Sequence, residues 1–253
     1  MAGRNKPVNW LATCCASLML SSPLLHATPL VLYYNAQQKP KAWIDKQQQP
    51  NGFSYEIAAS ILNKAEIDFT AKAVPFMRGI NSARLCDGIM TGVFKTQQRE
   101  LFLNYSAPTV PDKAVVVSRI EDKFNYRDIN DIMIHKVIYL RGASFGNAFA
   151  DIEPKLNKVT HQNPAMMLRL LARKRVDLAI LNPGLAAVKS AAQAANIDIK
   201  SLRVSSIPLA EVDNYLVYCK DAPKKYGPLF QRINKAIKTL KQERSFAEIM
   251  KKY

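Results

Sequence analysis

Histidine is almost missing from this chain. Three occur in 253 residues, and the two beyond the amino-terminal stretch, His135 and His161, are far from each other and from any cysteine. That excludes sequence-local zinc sites, which need His or Cys at short fixed spacings. Glycine is scarce too, at nine, and neither G-x-x-x-x-G-K-[ST] nor G-x-G-x-x-G is present. Loops that cradle nucleotide phosphates are thereby excluded. Acidic residues number 20 against 36 basic ones, a formal charge of +16. Cysteine, at four, is too sparse for a disulfide scaffold. Beyond the first 27 residues no apolar run approaches the roughly 20 residues of a membrane-spanning helix.

What is present begins with an export leader. Arg4 and Lys6 make a positive start, Trp10–Leu25 is apolar and uncharged, and Ala27 stands before a cut near Thr28. This is the layout of a secretory signal peptide over residues 1–27, and it predicts export of the protein to an oxidising compartment. The apolar run is broken by Ser17, Ser21, Ser22 and Pro23, which argues against a membrane anchor. Losing the leader removes two basic residues, so the charge falls to +14. Cys86 and Cys219 then remain, either as one disulfide in an oxidising compartment or as two buried thiols.

Past the leader, strand and helix signals alternate. Leu30–Tyr34, Phe69–Val74, Asp87–Gly92, Ala114–Ser118, Val137–Leu140, Val176–Leu181 and Val212–Cys219 read as strands. Phe53–Ala65, Met77–Leu85, Ala165–Lys174 and Leu229–Met250 carry helical spacing, Thr96 caps a short helix, and Ser144 is expected to open another. Strands separated by helices predict α/β layers with mostly parallel sheets. A helix, an Asp and an apolar strand recur in Ser82–Met90 and Leu170–Leu181. Each reads as the third strand of its own small sheet, so two similar lobes are expected rather than one sheet. Ligands of such sheets sit at the carboxyl ends of the strands.

Gly142-Ala143-Ser144-Phe145-Gly146 matches the nucleophile elbow G-x-S-x-G. A hydrolase needs an acid and then a histidine further along, yet His161 is the last histidine and only Asp151 and Glu153 intervene. The segment reads instead as a tight turn whose N–H groups and Ser144 hydroxyl face an anion. Arg99, in Thr96-Gln97-Gln98-Arg99, follows a strand end, where a guanidinium can grip a carboxylate with two hydrogen bonds. The other basic residues, Lys39, Lys41 and the Arg173–Arg175 run among them, are dispersed without interleaved aromatics. They read as a solvated surface, and no nucleic-acid partner is expected.

Several segments, taken in order, resemble the periplasmic solute-binding proteins of family 3, the polar amino-acid receptors of ABC transporters. These are Gly52-Phe53-Ser54-Tyr55-Glu56-Ile57, Cys86–Gly92 followed by Thr96–Arg99, Phe102–Pro108, Arg141–Ser144, Val176–Ile180 and the closing Phe246–Tyr253. The resemblance implies a type II periplasmic-binding-protein fold. Lobe I would be residues 28–110 plus 211–253 and lobe II 111–210, joined by two crossover hinge strands around a ligand cleft. It implies that Arg99 grips a ligand carboxylate and that the Ser144 turn donates hydrogen bonds. Trp43 and Phe76 would sandwich the ligand, with Tyr34 and Asn35 at the end of the first strand. It also implies that Cys86 and Cys219 start and end neighbouring antiparallel strands, which favours their disulfide.

Four positions depart from the family pattern. Asn182 stands where an Asp usually meets the ligand ammonium, Gly92 and Phe94 replace serines ahead of the Arg, and Arg78 replaces an apolar residue. A cation partner is lost and an anion partner, Arg78, is gained, so the expected ligand is a carboxylate or other anion rather than a standard amino acid. The resemblance further implies a monomer without metal or cofactor that serves an inner-membrane ABC permease and is no enzyme. Two alternatives share the fold. A periplasmic cyclohexadienyl dehydratase needs a cleft acid as proton donor, which Asn182 is not, and a sensor would pass its ligand state to a membrane receptor.

Overall fold

The computed structural model describes residues 29–253 and, before them, Met1 and Gly3; the expected leader lies outside the described residues. The chain opens with β1 (Leu30–Tyr34), then a three-stranded flap of β2 (Gln37–Gln38), β3 (Ala42–Ile44) and β4 (Pro50–Asn51). Next comes α1 (Phe53–Lys64), whose Phe53, Ile57, Ile61 and Leu62 form one buried stripe. Each such side chain contributes roughly 1.5–3 kcal/mol relative to exposure. The helix ends where Glu66 turns left-handed at φ 53°. β5 (Phe69–Ala73), α2 (Phe76–Arg84) and β6 (Ile89–Phe94) follow, then α3 (Gln97–Glu100) and β7 (Leu103–Tyr105). β5, β1 and β6 are parallel and in that spatial order.

β8 (Pro111–Arg119) leaves this lobe for the second one. There β9 (Val137–Leu140), α4 (Asn147–Ile152), β10 (Lys158–His161), α5 (Pro164–Ala172) and β11 (Leu178–Leu181) build the parallel order β10-β9-β11. α6 (Gly184–Ala195) and β12 (Leu202–Val204) complete it. β13 (Ala210–Cys219) returns to the first lobe, antiparallel to β6. The chain closes with α7 (Pro223–Gln242) and α8 (Ser245–Met250).

β6 and β11 are the third parallel strands of their lobes, as their repeated sequence pattern suggests. The lobes are nevertheless not separate sheets. β8 and β13 pair antiparallel from Ala114↔Ala210 to Pro111↔Asp213, and the ladder runs unbroken through that hinge. Each lobe has a core on both faces. In the first, α1 and α7 meet on one face through Ile61, Leu62, Ile233 and Ile237, and α2 covers the other with Ile80 and Ala83. In the second, α5 and α6 pack Leu168, Leu171, Val188 and Ala192 on one face, and Phe145 and Phe149 fill the other.

Two expectations about helices change. Ser144 does not open a helix, because α4 starts at Asn147 after Gly146 at φ 91°. The closing helix is two helices, parted where Arg244 is left-handed at φ 57°. Cys86, in the turn after α2, is bonded to Cys219 at the end of β13, with S–S 2.13 Å and Cα–Cα 5.1 Å. Among the described residues no helix is long and apolar enough to cross a membrane.

Candidate functional site between the lobes

The carboxyl ends of β6 and β9 face each other next to the hinge. β6 ends in Phe94, and the Thr96 hydroxyl then accepts the Arg99 N–H at 3.3 Å, capping α3 and fixing where the arginine starts. Arg99 is only 7% exposed. Its Nη1 donates to the Phe94 carbonyl at 2.7 Å, and its Nη2 crosses the cleft to the Gly142 carbonyl at 2.9 Å. The guanidinium carbon lies 5.4 Å from the centre of the Phe76 ring. Burial pulls its pKa down to about 10, opposed by Tyr105, so it stays charged at neutral pH. Among the described residues no carboxylate pairs with it.

A second cation lies beside it. Lys41, between the flap strands β2 and β3, is 4% exposed. Its Nζ donates to Asp112 Oδ2 and Asn214 Oδ1, each at 2.6 Å, so it touches both hinge strands. It also lies 4.6 Å from the Phe94 ring centre. Burial pulls its pKa down, and Asp112 acts in the opposite direction. Asp112 Oδ2 accepts from Asn182 Nδ2 at 3.2 Å, and Asn182 Oδ1 accepts from Gln38 Nε2 at 3.0 Å. A buried network therefore runs from the flap through the hinge to the end of β11.

These groups enclose a cavity of about 10 Å3. Gln38, Lys41, Phe76, Gly92, Phe94 and Arg99 line it from the first lobe, and Leu140, Ala143, Ser144 and Asn182 from the second. That volume holds about one water, so any larger solute enters only when the lobes part.

The structure thus brings five sequence candidates together: Arg99, Phe76, Phe94, Ser144 and Asn182. Asn35 lines a small adjoining cavity with Phe76 and Met77. Trp43 stands outside, in a groove of about 520 Å3 where Gln37 and Lys39 face Asn163 and Gln193. Its ring sits edge-on to Tyr253, with Lys39 Nζ 4.8 Å above it. Tyr34 is buried against Tyr55, ring centres 5.3 Å apart, and Arg78 is exposed on α2; neither lines the cavity. His161 is occupied in a turn, its Nδ1 accepting the Asn163 N–H at 3.0 Å.

Sequence reading missed Lys41, Gln38, Asp112 and Asn214, and it assigned Lys41 to the solvated surface, which its burial corrects. A lone lysine in a basic chain gives no signal. The trace it leaves is Gly92, where a Cβ would lie 3.0 Å from Lys41 Cε.

The family model described as bacterial extracellular solute-binding proteins, family 3, matches residues 30–253. No curated protein matches the chain. Solved structures share its fold at low identity. The arginine-, lysine-, histidine-binding protein ArtJ from Geobacillus stearothermophilus is 15% identical with a TM-score of 0.74, over 89% of this chain and 95% of its own. A mutant of ArgBP from T. maritima is 18% identical at 0.73, over 88% and 94%. A histidine kinase sensor domain with similarity to periplasmic binding proteins is 15% identical at 0.72, over 89% and 95%.

Proposed function

The chain belongs to the bacterial extracellular solute-binding proteins of family 3, and from that premise we propose that it captures a small carboxylate-bearing or other anionic solute between its lobes. With this goes the division into lobe I, 28–110 plus 211–253, and lobe II, 111–210. Delivery is to an inner-membrane ABC permease, from the periplasm, where the amino-terminal leader sends the protein.

The observation that carries the reading is Arg99. A guanidinium this buried and paired only with carbonyl oxygens has paid the desolvation of its charge without an anion to offset it. A carboxylate entering when the lobes part would take its N–H groups in charge-assisted bonds, which are stronger than those to carbonyls. The Ser144 hydroxyl on the facing lobe is a second donor. A dehydratase finds less support, since no carboxylate lines the cavity among the described residues and Asp112 is held by Lys41 and Asn182.

The test is thermal denaturation of the leader-free protein against organic acids, inorganic anions and amino acids. A true ligand at about 100 times its dissociation constant adds about 2.7 kcal/mol, and Arg99→Ala abolishes that gain. A panel without a stabilising anion, or a hit that Arg99→Ala retains, would overturn the reading. Binding to the purified permease, as opposed to a sensor's receptor domain, then separates transport from sensing.

A further inference from the structure

Lys41 gives the cleft a cation of its own. Its ammonium shares the cavity with Arg99, and the nearest carboxylate, Asp112, is already bonded to it at 2.6 Å. Asn182 stands at the end of β11 facing the same space, yet its amide is engaged on both sides, donating to Asp112 and accepting from Gln38. Gly92, at φ +75°, leaves the passage through which the lysine stem reaches the hinge. Two cations and no acidic side chain line the cavity among the described residues.

We propose that Lys41 is a specificity-determining residue. It supplies from the protein the cation that an α-amino acid would bring, so the cleft takes carboxylates without an amino group and rejects their α-amino counterparts. This rests on the reading of Arg99 as holder of the carboxylate. An entering ammonium would meet two like charges and a carboxylate already paired, in a site where water does not screen them. A 2-oxo or 2-hydroxy acid of the same skeleton carries the same carboxylate without that conflict.

Calorimetric titration with pairs that differ only at the α-carbon tests this: pyruvate and L-alanine, 2-oxoglutarate and L-glutamate, phenylpyruvate and L-phenylalanine. In any pair that binds, the oxo acid is expected to bind at least tenfold more tightly to the native sequence. Lys41→Met keeps the length, loses the charge and frees Asp112, so it should shift that ratio at least tenfold toward the amino acid. Because it leaves Asp112 buried and unpaired, the double variant Lys41→Met/Asp112→Asn is measured beside it. That variant removes both partners of the Lys41–Asp112 pair, so neither is left buried alone, and it should bring the ratio toward unity. A native preference for the amino acid, or a ratio unchanged in both variants, overturns the proposal. If amino acids win in the native protein and Arg99→Ala abolishes their binding, the carboxylate reading stands and this inference alone fails. If no member of any pair binds, this inference fails, and the reading of Arg99 is decided by the wider anion panel with Arg99→Ala.

Discussion

Position 92 shows how a missing side chain builds this site. The backbone there is left-handed, and a Cβ would come within 2.8 Å of Ser54 Oγ and 3.0 Å of Lys41 Cε. Glycine alone visits that conformation without cost. Gly92→Ala is therefore expected to lower the stability of the leader-free protein by about 1–2 kcal/mol, the penalty of a left-handed L-residue. Both crowded atoms belong to side chains and not to backbone, so the crowding falls on Ser54 and on the stem of Lys41. Urea denaturation reads the cost, and an unshifted midpoint would mean that the backbone at 92 is not constrained as described. Arg99 differs in legibility, since its cap, its strand and its charge are neighbours in sequence. Lys41 acquires its role from Asp112 and Asn214, 71 and 173 residues away.

At the scale of elements, the disulfide fastens the α2–β6 turn to the last residue of β13, the strand that brings the chain back to the first lobe. It closes a separation of 133 residues, and cross-links over long loops restrict the unfolded chain most, in the chain-entropy account. Replacing both cysteines by alanine should cost about 2–5 kcal/mol. Equal denaturant midpoints for the two proteins would refute this.

The principal strands were legible because buried parallel strands read as apolar, β-branched runs; β1, β9 and β11 are LVLYY, VIYL and LAIL. The flap was not, since β2 and β4 are two residues long and show no period. α6 was missed because its buried face is built from Ala187, Ala191, Ala192 and Ala195, with Val188 its one large residue. The break between α7 and α8 carries neither Gly nor Pro. Phe246 returns to the core that Phe230 and Ile237 already occupy, so the helical period appears continuous across Arg244.

In the whole molecule the lobes meet at two kinds of contact with different tasks. The hinge is backbone pairing between β8 and β13 and persists whichever way the lobes turn. The cleft is closed by side chains: Gln38 Nε2 to Asn182 Oδ1 at 3.0 Å, Arg99 Nη2 to the Gly142 carbonyl at 2.9 Å, and Met77 packed over Gly142. A neutral bond such as Gln38–Asn182 is worth a net of about 0.5–1.5 kcal/mol and one from a charged donor such as Arg99 about 1.5–3, small enough for a bound solute to decide the balance. Gln38→Ala/Asn182→Ala removes one of these closures while the hinge ladder and the four core clusters stay whole. Small-angle scattering should then give a radius of gyration above that of the native protein, which for a compact chain of this length is about 17 Å. Superimposable scattering curves would show that the flap does not hold the lobes together and would shift closure to Arg99 and Gly142. A larger radius with an almost unchanged melting temperature would locate the free energy of closure in the cleft, where an incoming solute can add to it.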